Sequence, residues 1–136
     1  MRRIVLAALV LALAQLPALA DVAVTISIAT QQMRVVVDGK QLHTWPVATA
    51  RKGYRTPVGI FRPYWLSPRH RSSIYNNAPM PHSIFFLGGY AIHGSYDVVG
   101  RPASHGCVRL HPGNAAALFA LVQSRGMQAT TIRILN

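Results

Sequence analysis

Residues 104–109 read Ser104-His105-Gly106-Cys107-Val108-Arg109, and the short stretch His93-Gly94-Ser95 precedes them. Cys107 is the only cysteine of the chain. A thiol becomes a nucleophile near neutral pH when a base or a positive charge lies beside it, and imidazole is the usual partner. A lone cysteine with histidines nearby therefore predicts a nucleophilic site, although a free cysteine can also be a small buried hydrophobic residue. Gly106 directly before Cys107 and Arg109 two residues after it are not typical of a deep apolar environment. These two residues therefore favour a nucleophilic cysteine over a buried hydrophobic one.

A cysteine acyl-transfer site needs a nucleophile, a base, a group that orients the base, and donors for the developing oxyanion. Cys107 is the predicted nucleophile, and His93 and His105 compete for the role of base. Asp97 is the only acid nearby in sequence that could complete a Cys-His-Asp triad. The backbone N–H groups of His105, Gly106 and Cys107 are the predicted oxyanion donors.

Ser104 is predicted to orient this loop or to contact the substrate. Arg109 is predicted to hold a substrate carboxylate, with Arg101 as an alternate, because a guanidinium binds a carboxylate through two hydrogen bonds. An extended backbone over residues 107–109 would place the Cys107 and Arg109 side chains on one side. The alternative for Arg109 is a structural role, in which it holds the loop through backbone carbonyls or Asp97.

The first twenty residues have the composition of a signal peptide. Arg2 and Arg3 form a basic start, an apolar run covers residues 4–16, and Ala18-Leu19-Ala20 is a small-residue cleavage site. The apolar run is too short for a clear membrane span, so a retained anchor is the less favoured alternative. We predict a signal peptide over residues 1–20 and an exported domain over residues 21–136. This domain would lie in the periplasm or elsewhere at the cell envelope, without membrane insertion.

The charge of the chain is strongly positive, with 14 Lys and Arg against 3 Asp and Glu. Such a field attracts polyanions and acidic substrates. A strongly basic protein often binds nucleic acid, but the predicted signal peptide argues against that partner. Acidic peptides of the cell wall fit an exported protein better. In an exported chain the single cysteine also has no internal disulfide partner, which favours a chemical role for it.

The apolar pattern after Asp21 predicts a mainly β domain. Apolar residues alternate over residues 22–28, and Asp38-Gly39 is a hairpin signal within an antiparallel meander. Further strands are predicted over residues 33–37, 41–48, 58–61, 83–87, 90–93 and 130–135. One helix is predicted to begin at a cap on Asn114 and to end at Arg125-Gly126. Its apolar face consists of Ala115, Leu118, Phe119 and Val122.

Residues 63–81 show no strand or helix period and contain four prolines. A loop of this length within one small domain is usually functional. We therefore predict that it forms a lid or one wall of the substrate cleft. His82 follows this segment directly and is predicted to border the cleft.

The cysteine block resembles the signature of the L,D-transpeptidase catalytic domain (YkuD type), which is His-Gly, a variable spacer, and Ser/Thr-His-Gly-Cys. The resemblance extends to Arg55–Phe61 and Asn77–Pro81, and so covers nearly all of the predicted mature chain. It implies a sandwich- or barrel-like β domain with one packed helix near the C-terminus. Two features differ from the common pattern: the spacer between His93 and Cys107 is short, and Arg109 stands where many members carry Asn.

The resemblance implies an enzyme of peptidoglycan biosynthesis and cell-wall organisation. Cys107 would attack the carbonyl of the third residue of a stem tetrapeptide and expel the terminal D-alanine. An amine of a neighbouring stem would then accept the acyl group, which gives a 3→3 crosslink. His93 would be the base, the backbone carbonyl of Gly94 would orient it, and carbapenems would acylate the thiol.

Several alternatives stay open on the sequence. Water, a free D-amino acid or a lipoprotein lysine could replace the stem-peptide acceptor, and transfer to water would make the protein a carboxypeptidase or hydrolase. A non-catalytic, basic wall-binding module and a papain-like peptidase are also considered. A zinc site on His105, Cys107 and His111 is disfavoured, because a metal would occupy the thiolate. No cofactor and no metal are therefore predicted.

Overall fold

The computed structural model describes residues 21–136, and every structural statement below concerns that range. The predicted signal peptide, residues 1–20, lies outside the described residues and stays a prediction. The described range holds nine strands, one α-helix and a short 3₁₀ turn at Met127–Ala129. The elements are β1 Val22–Ser27, β2 Gln32–Val37, β3 Lys40–Pro46, β4 Gly59–Phe61, β5 Trp65–Arg71, β6 Pro79–Leu87, β7 Tyr90–Gly94, β8 Val108–Leu110, α1 Pro112–Arg125 and β9 Thr130–Leu135.

The first sheet has the strand order β3-β2-β1-β9-β4. Strands β1, β2 and β3 form the predicted antiparallel meander, while the C-terminal strand β9 pairs parallel with β1. Every second residue of β1 is buried, as the alternation predicts. The β2–β3 turn places Asp38 at φ 50° and Gly39 at φ 79°. Aspartate and glycine tolerate this left-handed backbone better than other residues do, so the predicted hairpin is confirmed.

The second sheet has the strand order β5-β6-β7-β8, with β7 and β8 parallel. One face of this sheet contributes Ile84, Ile92 and Val108 to the main core, which it shares with the first sheet and α1. The opposite face contributes Phe85 and Ala91 to a smaller cluster, against which Cys107 packs. The second sheet therefore separates the main core from the surface that carries the cysteine.

Helix α1 packs on β6 and β7 through the predicted residues Ala115, Leu118, Phe119 and Val122, which are all buried. Its predicted start was wrong by three residues. His111 is the N-cap and its side chain accepts a hydrogen bond from the Gly113 N–H, while Pro112 occupies the first turn. Proline favours that position because its missing N–H would have no helical partner there. Within residues 21–136, no helix has the length and apolar character needed to span a bilayer.

The prediction of one long irregular loop over residues 63–81 was wrong. This stretch contains all of β5 and the first residues of β6, and only residues 72–78 lie between the two strands. The prolines led to this error, because proline is uncommon within strands. Pro68 lies on the edge strand β5, where a missing N–H costs little. Pro79 and Pro81 lie in the part of β6 that pairs with β5 but not with β7.

Candidate active site

The parallel pair β7–β8 brings the two signature stretches together. Ile92 pairs with Val108, and His93 pairs with Arg109. Because Ile92 and Val108 point into the core, the alternation of a strand directs His93, Cys107 and Arg109 to the opposite face. All three line one cavity of about 880 Å³.

His93 is buried, with 5% of its surface exposed, at the end of β7. Its Nδ1 lies 2.7 Å from the carbonyl oxygen of Gly94. A carbonyl only accepts, so this contact requires that Nδ1 carries the proton and leaves Nε2 as a proton acceptor. Burial lowers the pKa of His93 to about 4, although the Gly94 hydrogen bond acts in the opposite direction. The imidazole is therefore a neutral base at neutral pH.

The Cys107 thiol is partly buried against Met80, Phe85 and Ala91. Burial raises the pKa of Cys107, while the Ala91 N–H and the positive charge of Arg109 act in the opposite direction. In this state a neutral thiol and a neutral imidazole share the cavity. The sequence argument paired the thiol with a base and left out the cost of desolvating the sulfur.

The turn before Cys107 is held by two buried hydroxyl groups. Ser104 Oγ donates to the Cys107 carbonyl at 2.6 Å and accepts from the Gly106 N–H at 3.0 Å. Thr56 Oγ1 donates to the Gly106 carbonyl at 2.9 Å. The Gly106 N–H, one of the predicted oxyanion donors, is thus already bonded to Ser104. The N–H groups of His105 and Cys107 are left as the candidates.

Gly106 has a packing role that the sequence did not reveal. Its φ is 146°, and a Cβ atom there would lie 2.6 Å from Cε1 of Tyr90 and 3.0 Å from the carbonyl oxygen of Arg55. Real Cβ atoms do not approach other atoms so closely. Glycine is therefore required by Tyr90 and Arg55, rather than only by substrate approaching the sulfur.

The His105 ring is engaged by residues of two other loops. Tyr75 stacks on it with ring centroids 3.9 Å apart, and Tyr54 contacts it edge-on at 4.7 Å. Arg51 Nη2 lies 2.9 Å from Nε2 of His105. Guanidinium only donates, so Nε2 accepts, which requires an unprotonated Nε2. Desolvation and then the charges of Arg51 and Arg109 lower the pKa of His105.

This cluster was missed because its members are far apart in sequence. Tyr75 belongs to residues 72–78, several of which line the cavity, so the irregular part of the predicted lid segment does form one wall. No local pattern pairs Tyr75 or Arg51 with His105. The presence of aromatic side chains in that segment was the only available signal.

The predicted substrate-binding residues are not brought together. Arg109 lines the cavity, with Nη1 3.6 Å from Oδ2 of Asp97 and 3.4 Å from the Ala103 carbonyl oxygen. Arg101 is exposed and does not line the cavity. His82 also lies outside the cavity lining and contacts Phe119 edge-on at 5.3 Å. The structure therefore favours Arg109 over the other two.

Asp97 does not act as the orienting acid of a triad, because Gly94 accepts the hydrogen bond of His93. The alternative zinc cluster is not assembled either. His111 caps α1 through its side chain, and residues 21–136 contain no group of three or more His, Cys, Asp or Glu side chains placed to hold a metal ion.

The role of Gly106 predicts a stability difference between two glycine substitutions. Gly106→Ala and Gly100→Ala both place a side chain at positive φ, but a Cβ at Gly100 would have no neighbour within 4 Å. Gly100→Ala should cost about 1 kcal/mol for the backbone alone, and Gly106→Ala about 2 kcal/mol more for the clash. Urea unfolding of both variants measures this difference. Equal losses would contradict the packing role.

Burial of neutral His93 predicts a pH-dependent stability. Between its lowered pKa of about 4 and its ordinary value of 6.5, the unfolded chain binds a proton that the folded protein does not. The free energy of unfolding should therefore fall as the pH falls through that window, by about 2 kcal/mol between about pH 7 and pH 4.5. Urea unfolding at several pH values measures it.

His93→Gln should remove this part of the pH dependence, whereas His43→Gln, which replaces a histidine stacked on Trp45 in the first sheet, should keep it. If the free energy of unfolding depends on pH in the same way in the wild-type protein and in His93→Gln, then His93 is not buried as a neutral base.

Comparison with known proteins agrees with this geometry. A family model described as the L,D-transpeptidase catalytic domain (YkuD) matches residues 21–134. No curated protein sequence is a significant match. An L,D-transpeptidase from Mycobacterium smegmatis superposes with a TM-score of 0.74 at 22% identity, over 86% of this chain and 59% of that one. One from Xylanimonas cellulosilytica has a TM-score of 0.70 at 30% identity, over 88% of this chain and 62% of that one.

A third structure, of the L,D-transpeptidase LdtMt1 in complex with imipenem, has a TM-score of 0.75 at 21% identity. The superposition covers 85% of this chain and 59% of that one. The chain thus spans about three fifths of the solved structures that it matches. The two sheets and the one helix of residues 21–136 confirm the predicted mainly β fold class. The match over residues 21–134 shows that the chain belongs to the YkuD family of L,D-transpeptidase catalytic domains.

Proposed function

We propose that this protein is an L,D-transpeptidase of peptidoglycan stem peptides, with Cys107 as nucleophile and His93 as base. The observation that carries the proposal is the neutral pair itself. His93 donates from Nδ1 to the Gly94 carbonyl and so presents an unprotonated Nε2 to the cavity that also holds the Cys107 thiol. Family membership supports the proposed reaction class, and this geometry supports the proposed roles of the two residues.

The first half-reaction is acylation of the thiol. The Cys107 proton passes to Nε2 of His93 while the sulfur attacks the carbonyl of the third stem residue. The oxyanion of the tetrahedral intermediate is stabilised by the N–H groups of His105 and Cys107. The C–N bond to D-alanine then breaks, His93 returns the proton to the leaving amine, and a thioester remains on Cys107.

The second half-reaction is aminolysis of the thioester. A free amine attacks the thioester carbonyl, and His93 accepts the proton that the amine loses. The C–S bond breaks, and the proton returns to the Cys107 sulfur. When the amine belongs to a neighbouring stem, the product is a 3→3 crosslink. Transfer to water would give the hydrolase activity instead.

A neutral resting pair has a mechanistic consequence. Because burial disfavours both the thiolate and the imidazolium, the proton transfer accompanies attack on the substrate rather than preceding it. The Gly94 carbonyl is suited to this mechanism, because it fixes the tautomer of His93 without adding a carboxylate to the site.

Arg109 is the proposed contact for the carboxylate of the terminal D-alanine. Its side chain is 19% exposed, lies on the same strand face as Cys107, and lines the cavity. Its long contacts to Asp97 and Ala103 support a structural contribution as well, so its two roles are not exclusive. The protein is further proposed to act at the cell envelope, which the composition of residues 1–20 supports.

The test is a mass measurement on the protein incubated with a purified disaccharide tetrapeptide that ends in D-alanine. The proposal predicts loss of D-alanine, a thioester on the peptide that contains Cys107, and a crosslinked dimer as product. Imipenem should form one adduct per chain on the same peptide.

His93→Gln should slow acylation by roughly 10²–10⁴-fold, the usual contribution of a positioned base. Cys107→Ser should abolish the thioester, and His43→Gln is the matched control for a histidine outside the cavity. A shortened tripeptide without dimer would identify a carboxypeptidase. An unchanged substrate that is nevertheless bound would identify a wall-binding module and overturn the proposal.

A further inference from the structure

A group of aromatic side chains lies on the outer face of the second sheet, outside the lining of the cavity that holds Cys107. It consists of Tyr64, Trp65, His70 and Phe85, and these four residues are here called the aromatic platform. Trp65 is 46% exposed and Tyr64 is 52% exposed. Large aromatic side chains that form a contiguous exposed patch mark a binding surface, and the reaction described so far uses none of the four.

The indole ring of Trp65 is held with one flat face towards solvent. Its other face stacks on Phe85, with the ring centroids 4.6 Å apart and the ring planes 20° apart. His70 contacts both rings nearly at right angles, at centroid distances of 5.2 Å from Trp65 and 4.9 Å from Phe85. Because these contacts fix the indole in place, a ligand can pack on its free face without ordering it first.

Polar groups border this apolar face. The Tyr64 hydroxyl donates to the Gly88 carbonyl and keeps its oxygen lone pairs for another donor. His70 adds a ring N–H, and Arg69 and Arg71 are exposed on the same strand, β5. A pyranose sugar has the matching shape, because C–H bonds cover one face of its ring while hydroxyl and amide groups surround its edge. Aromatic side chains with a polar tip suit such a ligand.

The strand register connects the platform to the nucleophile. Trp65 pairs with Phe85, and Phe85 pairs with Ala91 on the next strand. The parallel register of β7 and β8 continues this row, since it places Ala91 beside Cys107. Three steps of about 4.8 Å therefore separate Trp65 from Cys107, which is roughly 14 Å across the sheet.

The proposed substrate has a sugar at a similar distance from its reacting carbonyl. Cys107 attacks the third residue of the stem, and the first residue of the stem is joined to an N-acetylated sugar through a lactyl group. The three residues span about 10 Å when they are extended, and the lactyl group adds a few ångströms. A stem held at Cys107 can thus bring its sugar to Trp65.

We propose that the aromatic platform binds an N-acetylated sugar of the glycan strand that carries the donor stem, which rests on the proposed function. Trp65 packs on the C–H face of the sugar, and the polar groups around it bind the hydroxyl and amide groups. The platform then favours donors that are attached to glycan over free stem peptides.

The first experiment measures sugar binding without any reaction. The chain has two tryptophans, Trp45 and Trp65, so Trp45→Phe leaves Trp65 as the only indole reporter. Titration of this variant with chitotetraose, a neutral oligomer of N-acetylglucosamine, should give a saturable change in fluorescence. Trp65→Phe is the matched control, because it keeps only Trp45, which stacks on His43 in the first sheet. Its fluorescence should not change.

The second experiment compares two donors, the disaccharide tetrapeptide and the free tetrapeptide. The measured quantity is the ratio of their kcat/KM values for release of D-alanine. Any loss of folded protein affects both donors equally, so the ratio isolates the contribution of the sugar. Trp65→Ala should lower this ratio about two- to tenfold, the effect of losing one aromatic contact. Trp65→Tyr should recover part of it, and Trp45→Ala should keep the wild-type ratio.

The inference is overturned if chitotetraose leaves the fluorescence of Trp65 unchanged, or if Trp65→Ala keeps the wild-type ratio. A fluorescence change that follows protein concentration alone would assign the platform to a second copy of the chain. A change that appears only with anionic lipid vesicles would assign it to a membrane surface, and either result would also overturn the inference. Failure of the proposed function is a different result: neither donor releases D-alanine, while binding of chitotetraose to Trp65 would still support a sugar site.

Discussion

The parallel pairing of β7 with β8 is the contact on which the site depends. It joins two stretches that are separated by the loop over residues 95–107, and it sets Ile92 against Val108 in the core. Because that core pair fixes the register, the residues on the other face are fixed as well. A slip of β8 by one residue against β7 would turn Cys107 and Arg109 into the core and expose Val108. Packing of the apolar face therefore positions the polar one.

A second layer of contacts fixes the backbone before the sulfur. Ser104 bonds to the Gly106 N–H and the Cys107 carbonyl, and Thr56 bonds to the Gly106 carbonyl. Tyr90 leaves room for glycine alone at position 106. The outer surface of the turn is covered by the stack of Tyr75 on His105. These contacts come from separate parts of the chain, so the shape of the turn is a property of the tertiary structure. Its N–H groups are oriented before a substrate arrives, which is the requirement for oxyanion stabilisation.

Local patterns predicted the parts of the fold that depend on local physics. Alternation identified β1, Asp38-Gly39 identified a hairpin, and the spacing of Ala115 to Val122 identified the buried face of α1. The errors in the predicted elements arose where contacts between residues distant in sequence determine the local structure. Prolines concealed β5 because tolerance of proline depends on which strand lies at an edge, and this is known only from the sheet order.

The site was predicted to a similar extent. The signature stretches pointed to Cys107 and His93, which line one cavity in the structure. The family resemblance pointed to the Gly94 carbonyl, which lies 2.7 Å from Nδ1 of His93. The occupied N–H of Gly106, the contact between Thr56 and the turn, and the separation of His82 from the cavity all depend on packing between elements. No local pattern encodes them. The charge state of the Cys107–His93 pair was also missed, because it depends on burial rather than on residue type.

That charge state is the central claim of the account, and the ultraviolet absorbance of the thiolate tests it most directly. The absorbance of the protein is compared with that of Cys107→Ser across the pH range. Burial of both groups predicts no thiolate signal at neutral pH, and a signal that rises only in the alkaline range. A thiolate already present between about pH 5 and 7, and lost in His93→Gln, would show a preformed ion pair and contradict the account.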